Sequence, residues 1–133
     1  MTDDAVRSAL TEHAADLVLW LGTVTPSGRP TTRPVWFLYD DGDLLVFSEA
    51  TAAKVRHVRK NPQVVVTFTS DPAAASVRVV DGTATVEEAV PSSFPGYLAK
   101  YEADLATMGY DRARFDAEFH TLLRITPTRT WGW

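Results

Sequence analysis

The sequence predicts a mainly β domain with helices, rolled into a six-stranded antiparallel barrel. Three observations carry that expectation. The apolar runs are short and rich in β-branched residues, as in Asp16–Thr25 (DLVLWLGTVT) and Gln63–Thr69 (QVVVTFT). Turn residues separate the first runs by only a few positions, and consecutive strands joined so tightly must be antiparallel. The chain has 133 residues, enough for one domain spanning 1–133 and too few for two. Six short strands of this kind lose their exposed edges if the sheet curls on itself.

The elements follow in order. Residues 2–15 read as a short helix: Thr2 can cap it, Asp3 and Asp4 suit its positive end, and Val6, Leu10 and Ala14 fall near one face. The strand 16–25 comes next, then the turn Pro26-Ser27-Gly28. A second strand is expected over Thr31–Tyr39, a turn at Asp40-Asp41-Gly42, and a third strand over Asp43–Ser48. Ala52–Lys60 reads as a helix with Thr51 as its cap, Val55 and Val58 facing inward, and Asn61-Pro62 as its stop. Strands follow at 63–69 and 76–86 around the loop 71–75. Phe94, Tyr97, Leu98, Tyr101, Leu105 and Met108 recur at helical spacing, so 92–108 is an amphipathic helix ended by Gly109. A helix over 111–119 turns Phe115 and Phe119 inward. The last strand covers 120–126, before the ending Thr128-Arg129-Thr130-Trp131-Gly132-Trp133.

Composition excludes several classes of function. With no cysteine, disulfides, thiolate metal sites and a cysteine nucleophile are ruled out. A formal net charge of −4 gives no global attraction for nucleic acid. No apolar run approaches the ~20 residues of a membrane span, and Met1 to Leu10 starts acidic without an apolar signal core. The expectation is a cytoplasmic protein with neither nucleic-acid nor membrane partner. Ten arginines against three lysines is a bias compatible with a GC-rich genome. His13, His57 and His120 lie far apart, so no metal motif forms, and each is expected at the surface or an interface. The acidic pairs Asp3/Asp4, Asp40/Asp41 and Glu87/Glu88 read as solvated turns and helix starts.

The segment 28–62 is the informative one. Alternation along the second strand puts Arg33, Val35 and Phe37 on one face and Thr32, Pro34, Trp36 and Leu38 on the other. Pro34 cannot donate to a ladder, so its nitrogen must face an edge, a bulge or a ligand. The third strand ends in Ser48-Glu49 and feeds a helix start that carries Lys54. A helix N-terminus with a lysine suits an anion, and Arg33 or Arg56 could add a bidentate clamp on a phosphate. A solvated basic face of Lys54, Arg56, Arg59 and Lys60 is the competing reading.

These residues resemble those of a known family. Gly28-Arg29-Pro30 with Arg33, the strand Pro34–Phe37, Phe47-Ser48 with Thr51 and Lys54, Arg59–Pro62, Val80–Ala84 and the ending 126–133 are similar to the split β-barrel proteins related to pyridoxamine phosphate oxidase. Within that group the resemblance is greatest to the actinobacterial deazaflavin (coenzyme F420)-dependent oxidoreductases, and it spans 16–133. It implies a homodimer with two cofactor sites at the subunit interface. Arg33, Pro34, Val35 and Trp36 would lie along the ring, backbone groups of Ser48 and Glu49 near the cofactor, and Lys54 on its phosphate. Trp131–Trp133 would pack at or near the site.

The FMN oxidases of the family usually carry Arg-Lys where this sequence has Ala53-Lys54, and a glutamine near Val77. Glu49 stands where a hydroxyl residue is more usual. The implied activity is hydride transfer between reduced F420 and a small flat organic acceptor, with Trp36, Phe37 and Trp131 as candidate acceptor walls. The cofactor supplies the hydride, so no catalytic side chain and no metal are required. An FMN-dependent reductase or oxidase, and a non-catalytic flavin-, haem- or tetrapyrrole-binding protein, are the alternatives. In the last, His57 or His120 would meet a haem iron.

Overall fold

The computed structural model describes residues 4–133; the expected roles of Thr2 and Asp3 at the first helix lie outside the described residues. Four α-helices and one short 3-10 turn accompany seven strands. In chain order these are α1 (Asp4–His13), β1 (Leu19–Val24), β2 (Pro30–Val35), β3 (Leu38–Asp40) and β4 (Asp43–Ser48). Then come α2 (Ala53–Lys60), β5 (Gln63–Phe68), β6 (Arg78–Glu88), α3 (Pro95–Thr107), α4 (Arg112–Glu118) and β7 (Thr121–Gly132). One antiparallel sheet holds all seven strands in the order β2-β1-β5-β6-β7-β4-β3. The sheet is not closed by a ladder, so the expected six-stranded barrel becomes a seven-stranded open sheet.

The difference comes from one break. The strand expected over 31–39 is two strands, interrupted at Trp36 and Phe37. Its first half pairs with β1 and its second half with β4, at opposite edges of the sheet. Two residues bridge the two edges, so the sheet must roll until they approach each other. Pro34 therefore sits in an edge strand, where its missing N–H costs no ladder bond.

The polar backbone groups at the break are met by α3. The Phe37 N–H donates to the Tyr101 hydroxyl at 3.0 Å. That hydroxyl holds one proton, which points between the Leu17 carbonyl at 2.6 Å and the Phe37 carbonyl at 3.1 Å. The Lys100 ammonium donates to the Phe37 carbonyl at 2.9 Å and the Ala14 carbonyl at 3.1 Å, and lies 3.6 Å over the Phe37 ring. Burial lowers the Lys100 pKa to about 8, with Asp16 opposing the shift.

Most local signals produce the elements they predict. Asp41 and Gly42, both with positive φ (47° and 88°), make the two-residue hairpin turn between β3 and β4. Asn61 and Pro62 end α2, with the Asn61 N–H bonded to the His57 carbonyl. Asp111 caps α4 by accepting from the Arg114 N–H at 2.8 Å. Thr51 does not cap α2: Ala52 occupies that position without a side-chain bond, and the Thr51 carbonyl accepts from Arg56.

β7 runs six residues further than the expected end at 126, pairing with β6 as far as Arg78–Gly132. Pro127 lacks an N–H, and an irregularity there leaves Thr128 without a partner in the register. At the far end Gly132 has φ 154°, and a Cβ there would lie 1.9 Å from the Val77 carbonyl oxygen, so only glycine fits.

Two apolar clusters use the two faces of β4. Leu44 and Val46 join the core inside the roll with Leu21, Val66, Phe68, Leu123 and Ile125, sealed by Val6 and Leu10 of α1 and Val55 and Val58 of α2. Leu45 and Phe47 face the other way and pack with Leu122 against Tyr97, Leu98, Tyr101, Leu105 and Phe115 of α3 and α4.

Candidate functional site

Three features meet at the break. Arg33 and Val35 end β2, Trp36 lies in the break, and Lys54 opens α2. Arg33, Val35 and Lys54 line one narrow cleft with Thr31 and His57. Lys54 also lines a second, partly open cavity with Val35 and Trp36, of about 210 Å³, whose other walls are Phe47, Tyr97, Leu105, Met108, Tyr110, Phe115 and Phe119. The lysine is thus the partition between a basic cleft and an aromatic cavity.

The Lys54 ammonium has no hydrogen bond or ion pair among the described residues. Burial lowers its pKa, Glu49 opposes that shift, and Arg33 reinforces it. A half-buried cation beside a second cation, without a bonded carboxylate, is an arrangement that gains from a bound anion. Arg33 is exposed and lines the same cleft.

The other expected site residues are dispersed. Ser48 is fully buried and its hydroxyl donates to the Glu49 carbonyl at 2.9 Å. Glu49 is exposed and acts on Lys54 through its field. Arg56 points back to the Thr51 carbonyl at 2.7 Å and lines neither space. Phe37 has no exposed surface and belongs to the inner core, stacked against Phe68 in a tilted pair. Trp131 lies on β7 opposite Val79, 47% exposed, and does not line the cavity that Trp36 lines.

Trp36 is held as a wall by a parallel stack on Tyr101, ring centres 4.3 Å apart. The aromatic residues of α3 and α4 were legible as inward-facing, but helical spacing gave no sign that they surround a void.

The histidines differ from expectation at one position. His57 is buried, and its Nδ1 is bonded to the Thr23 hydroxyl at 2.8 Å, so it is not a surface histidine. His13 pairs with Asp16 at 2.8 Å and stacks on Phe68 at 4.5 Å. His120 is exposed. Among the described residues no group of His, Asp and Glu could hold a metal, and no helix is long and apolar enough to cross a membrane.

The outer face of the sheet over β1, β2 and β5 carries no helix. Trp20 is 42% and Val65 38% exposed there, and Val65 lines a broad shallow depression with Thr32, Thr67, Asp81 and Arg129.

The fold is a rolled antiparallel sheet with a half-buried cation at its strand break. The profile of the family Pyridoxamine 5'-phosphate oxidase matches residues 2–133, and the chain belongs to that family. No curated protein matches the chain significantly. Among solved structures it is similar to a putative pyridoxamine 5'-phosphate oxidase from Listeria innocua, at 24% identity and TM-score 0.66, covering 97% of this chain and 95% of that one. It is similar to a protein described as an F420 reductase, at 22% identity and TM-score 0.68, covering 98% of each chain. It is also similar to HutZ, a haem storage protein of Vibrio cholerae, at 18% identity and TM-score 0.66, covering 97% and 92%. At these identities the likeness is one of fold, and that fold serves both a reductase and a haem protein.

Proposed function

We propose that the protein is an oxidoreductase that binds reduced deazaflavin F420 and passes a hydride to a small, flat organic acceptor. The observation that carries this reading is Lys54, a half-buried ammonium without a hydrogen-bonded or ion-paired partner among the described residues, lining the same cleft as Arg33. Lys54 would hold the cofactor phosphate, with Arg33 as the second cation. The backbone of Pro34, Val35 and Trp36 would flank the ring. When bound, the deazaflavin supplies the hydride. The chain supplies placement, and the covered wall at Trp36 excludes water.

A second copy of the chain would complete each site. The support for a homodimer is the uncovered sheet face, where Trp20, Val65 and Trp131 leave apolar surface of a kind that usually marks an interface. FMN is the alternative cofactor; with Ala53 in place of the usual arginine, the phosphate would have one cation fewer on α2. A haem-carrier reading finds less support, because His57 is buried with Nδ1 engaged and His120 lines neither space.

Deazaflavin fluorescence titration tests the reading directly. Binding in the micromolar range is the expected result, and no binding at tens of micromolar overturns it. Lys54→Ala should weaken that binding by about one to two decades, the value of a lost charge-assisted bond. The apo-protein's thermal stability should hardly change.

A further inference from the structure

The aromatic cavity behind Lys54 has a property that core packing does not require. Its walls are rings and apolar chains, chiefly Trp36, Phe47, Phe115 and Phe119, with Met108 exposed at the rim. At about 210 Å³ it exceeds the roughly 150 Å³ of an apolar cavity that takes up benzene. That volume is enough for a single substituted ring.

One polar group within it is unaccounted for. Tyr97 lines the cavity and is 1% exposed. Its ring is fixed by an edge contact on Phe47 at 5.0 Å and by neighbours Tyr101 and Phe115. Its hydroxyl has no hydrogen-bond partner among the described residues, unlike Tyr101 and Tyr110, whose hydroxyls are bonded. Among the described non-exposed residues, no side-chain nitrogen or oxygen is both sealed off and unpartnered. The Tyr97 hydroxyl is therefore not sealed off, and the cavity is the space that its residue lines. Burial raises its pKa, so it remains a proton donor throughout the usable pH range. The charges at the mouth are mixed: Lys54 faces the field of Glu49, and Glu118 is bonded to Tyr110 and Arg114.

We infer that this cavity is a binding site for a single-ring planar ligand carrying a carbonyl oxygen, which accepts from the Tyr97 hydroxyl while the ring lies among Trp36, Phe47 and Phe115. The inference deepens the proposed function by naming the class of acceptor and where it sits. Binding itself requires no cofactor, so the two readings fail separately.

The test compares acetophenone with ethylbenzene, two rings of like shape that differ in the carbonyl. Binding is followed by calorimetry and by the ring resonances of Tyr97 and Phe115 in the cofactor-free protein. The wild type should bind acetophenone several-fold more tightly, with both rings perturbed. Tyr97→Phe should abolish that preference, a loss of roughly two- to tenfold for acetophenone alone, while ethylbenzene binding stays unchanged. Tyr97→Phe keeps the ring that packs the core, so its fold can be verified from the same spectra. Absence of ring binding to the wild type overturns the inference, as does a preference that survives in Tyr97→Phe. Loss of deazaflavin binding with ring binding intact would remove the proposed function and leave this site standing.

Discussion

The two halves of the sheet are treated differently by the rest of the chain. Over β4 and β7, α3 and α4 cover the outer face, and β4 is buried on both sides from Leu44 to Ser48. Over β1, β2 and β5 the outer face is bare, and Trp20 and Val65 meet solvent. The covered half keeps an internal aromatic cavity; the bare half offers a surface. Both meet at the strand break, where Lys54 partitions the cleft from the cavity. The lesson is that one monomer finishes only half of its outer surface, and the unfinished half is where a second copy is expected.

The largest effect that probes this comparison is in packing. Phe115→Ala in the covered half should cost about 3–5 kcal/mol of folding stability, as a large buried ring leaves a cavity. Trp20→Ser on the bare half should leave monomer stability within about 0.5 kcal/mol, yet convert a dimer to a monomer in sedimentation. A Trp20→Ser protein that unfolds like Phe115→Ala would show the bare face to be core after all.

A smaller effect concerns the latch at the junction. Folded Lys100 gives up its proton near pH 8, whereas the unfolded side chain keeps it to about 10.5. Between those values the unfolded chain binds more protons, so this group makes stability rise with pH. Tyr101 acts in the opposite sense: burial pushes it up to about 12 from 10.0, so over that higher window the folded state binds more protons and stability falls. Urea unfolding across the lower window should show a positive slope that is reduced in Lys100→Met. An identical slope in both proteins would remove Lys100 as its source.

The smallest contrast is between two helix starts. Asp111→Ala should cost about 1 kcal/mol, the usual value of a cap, because Asp111 accepts from the Arg114 N–H. Thr51→Ala should be close to neutral, because Ala52 holds the cap position of α2. Thermal denaturation of the two variants side by side decides whether the cap assignment is right.

Local features were readable where the deciding atoms lie close in sequence. Asp41-Gly42 makes its turn, Asn61-Pro62 stops α2, and Val55 and Val58 face inward, each through neighbours a few positions away. The strand over 31–39 was misread because its continuation depends on Tyr101, which takes the Phe37 N–H from 64 residues further on. β7 was cut short at 126 because its last residues gain their partners from β6 and not from their own pattern. His57 looked like a surface residue on a basic helix, until Thr23 met it from β1. Of the site, Arg33, Val35, Trp36 and Lys54 are brought together, while Arg56, Phe37 and Trp131 are drawn elsewhere by Thr51, the core and β6.

By itself the sequence determined the kind of elements, their order, the antiparallel pairing of neighbours and the family, since propensity, turn chemistry and motif spacing are local properties of the chain. Only the tertiary structure decided where one strand splits, how the sheet rolls without closing, and that Tyr97, whose hydroxyl has no partner among the described residues, lines a ring-sized cavity. Those outcomes depend on which distant side chains satisfy a backbone group or leave a space unfilled, and no periodicity along the chain encodes that.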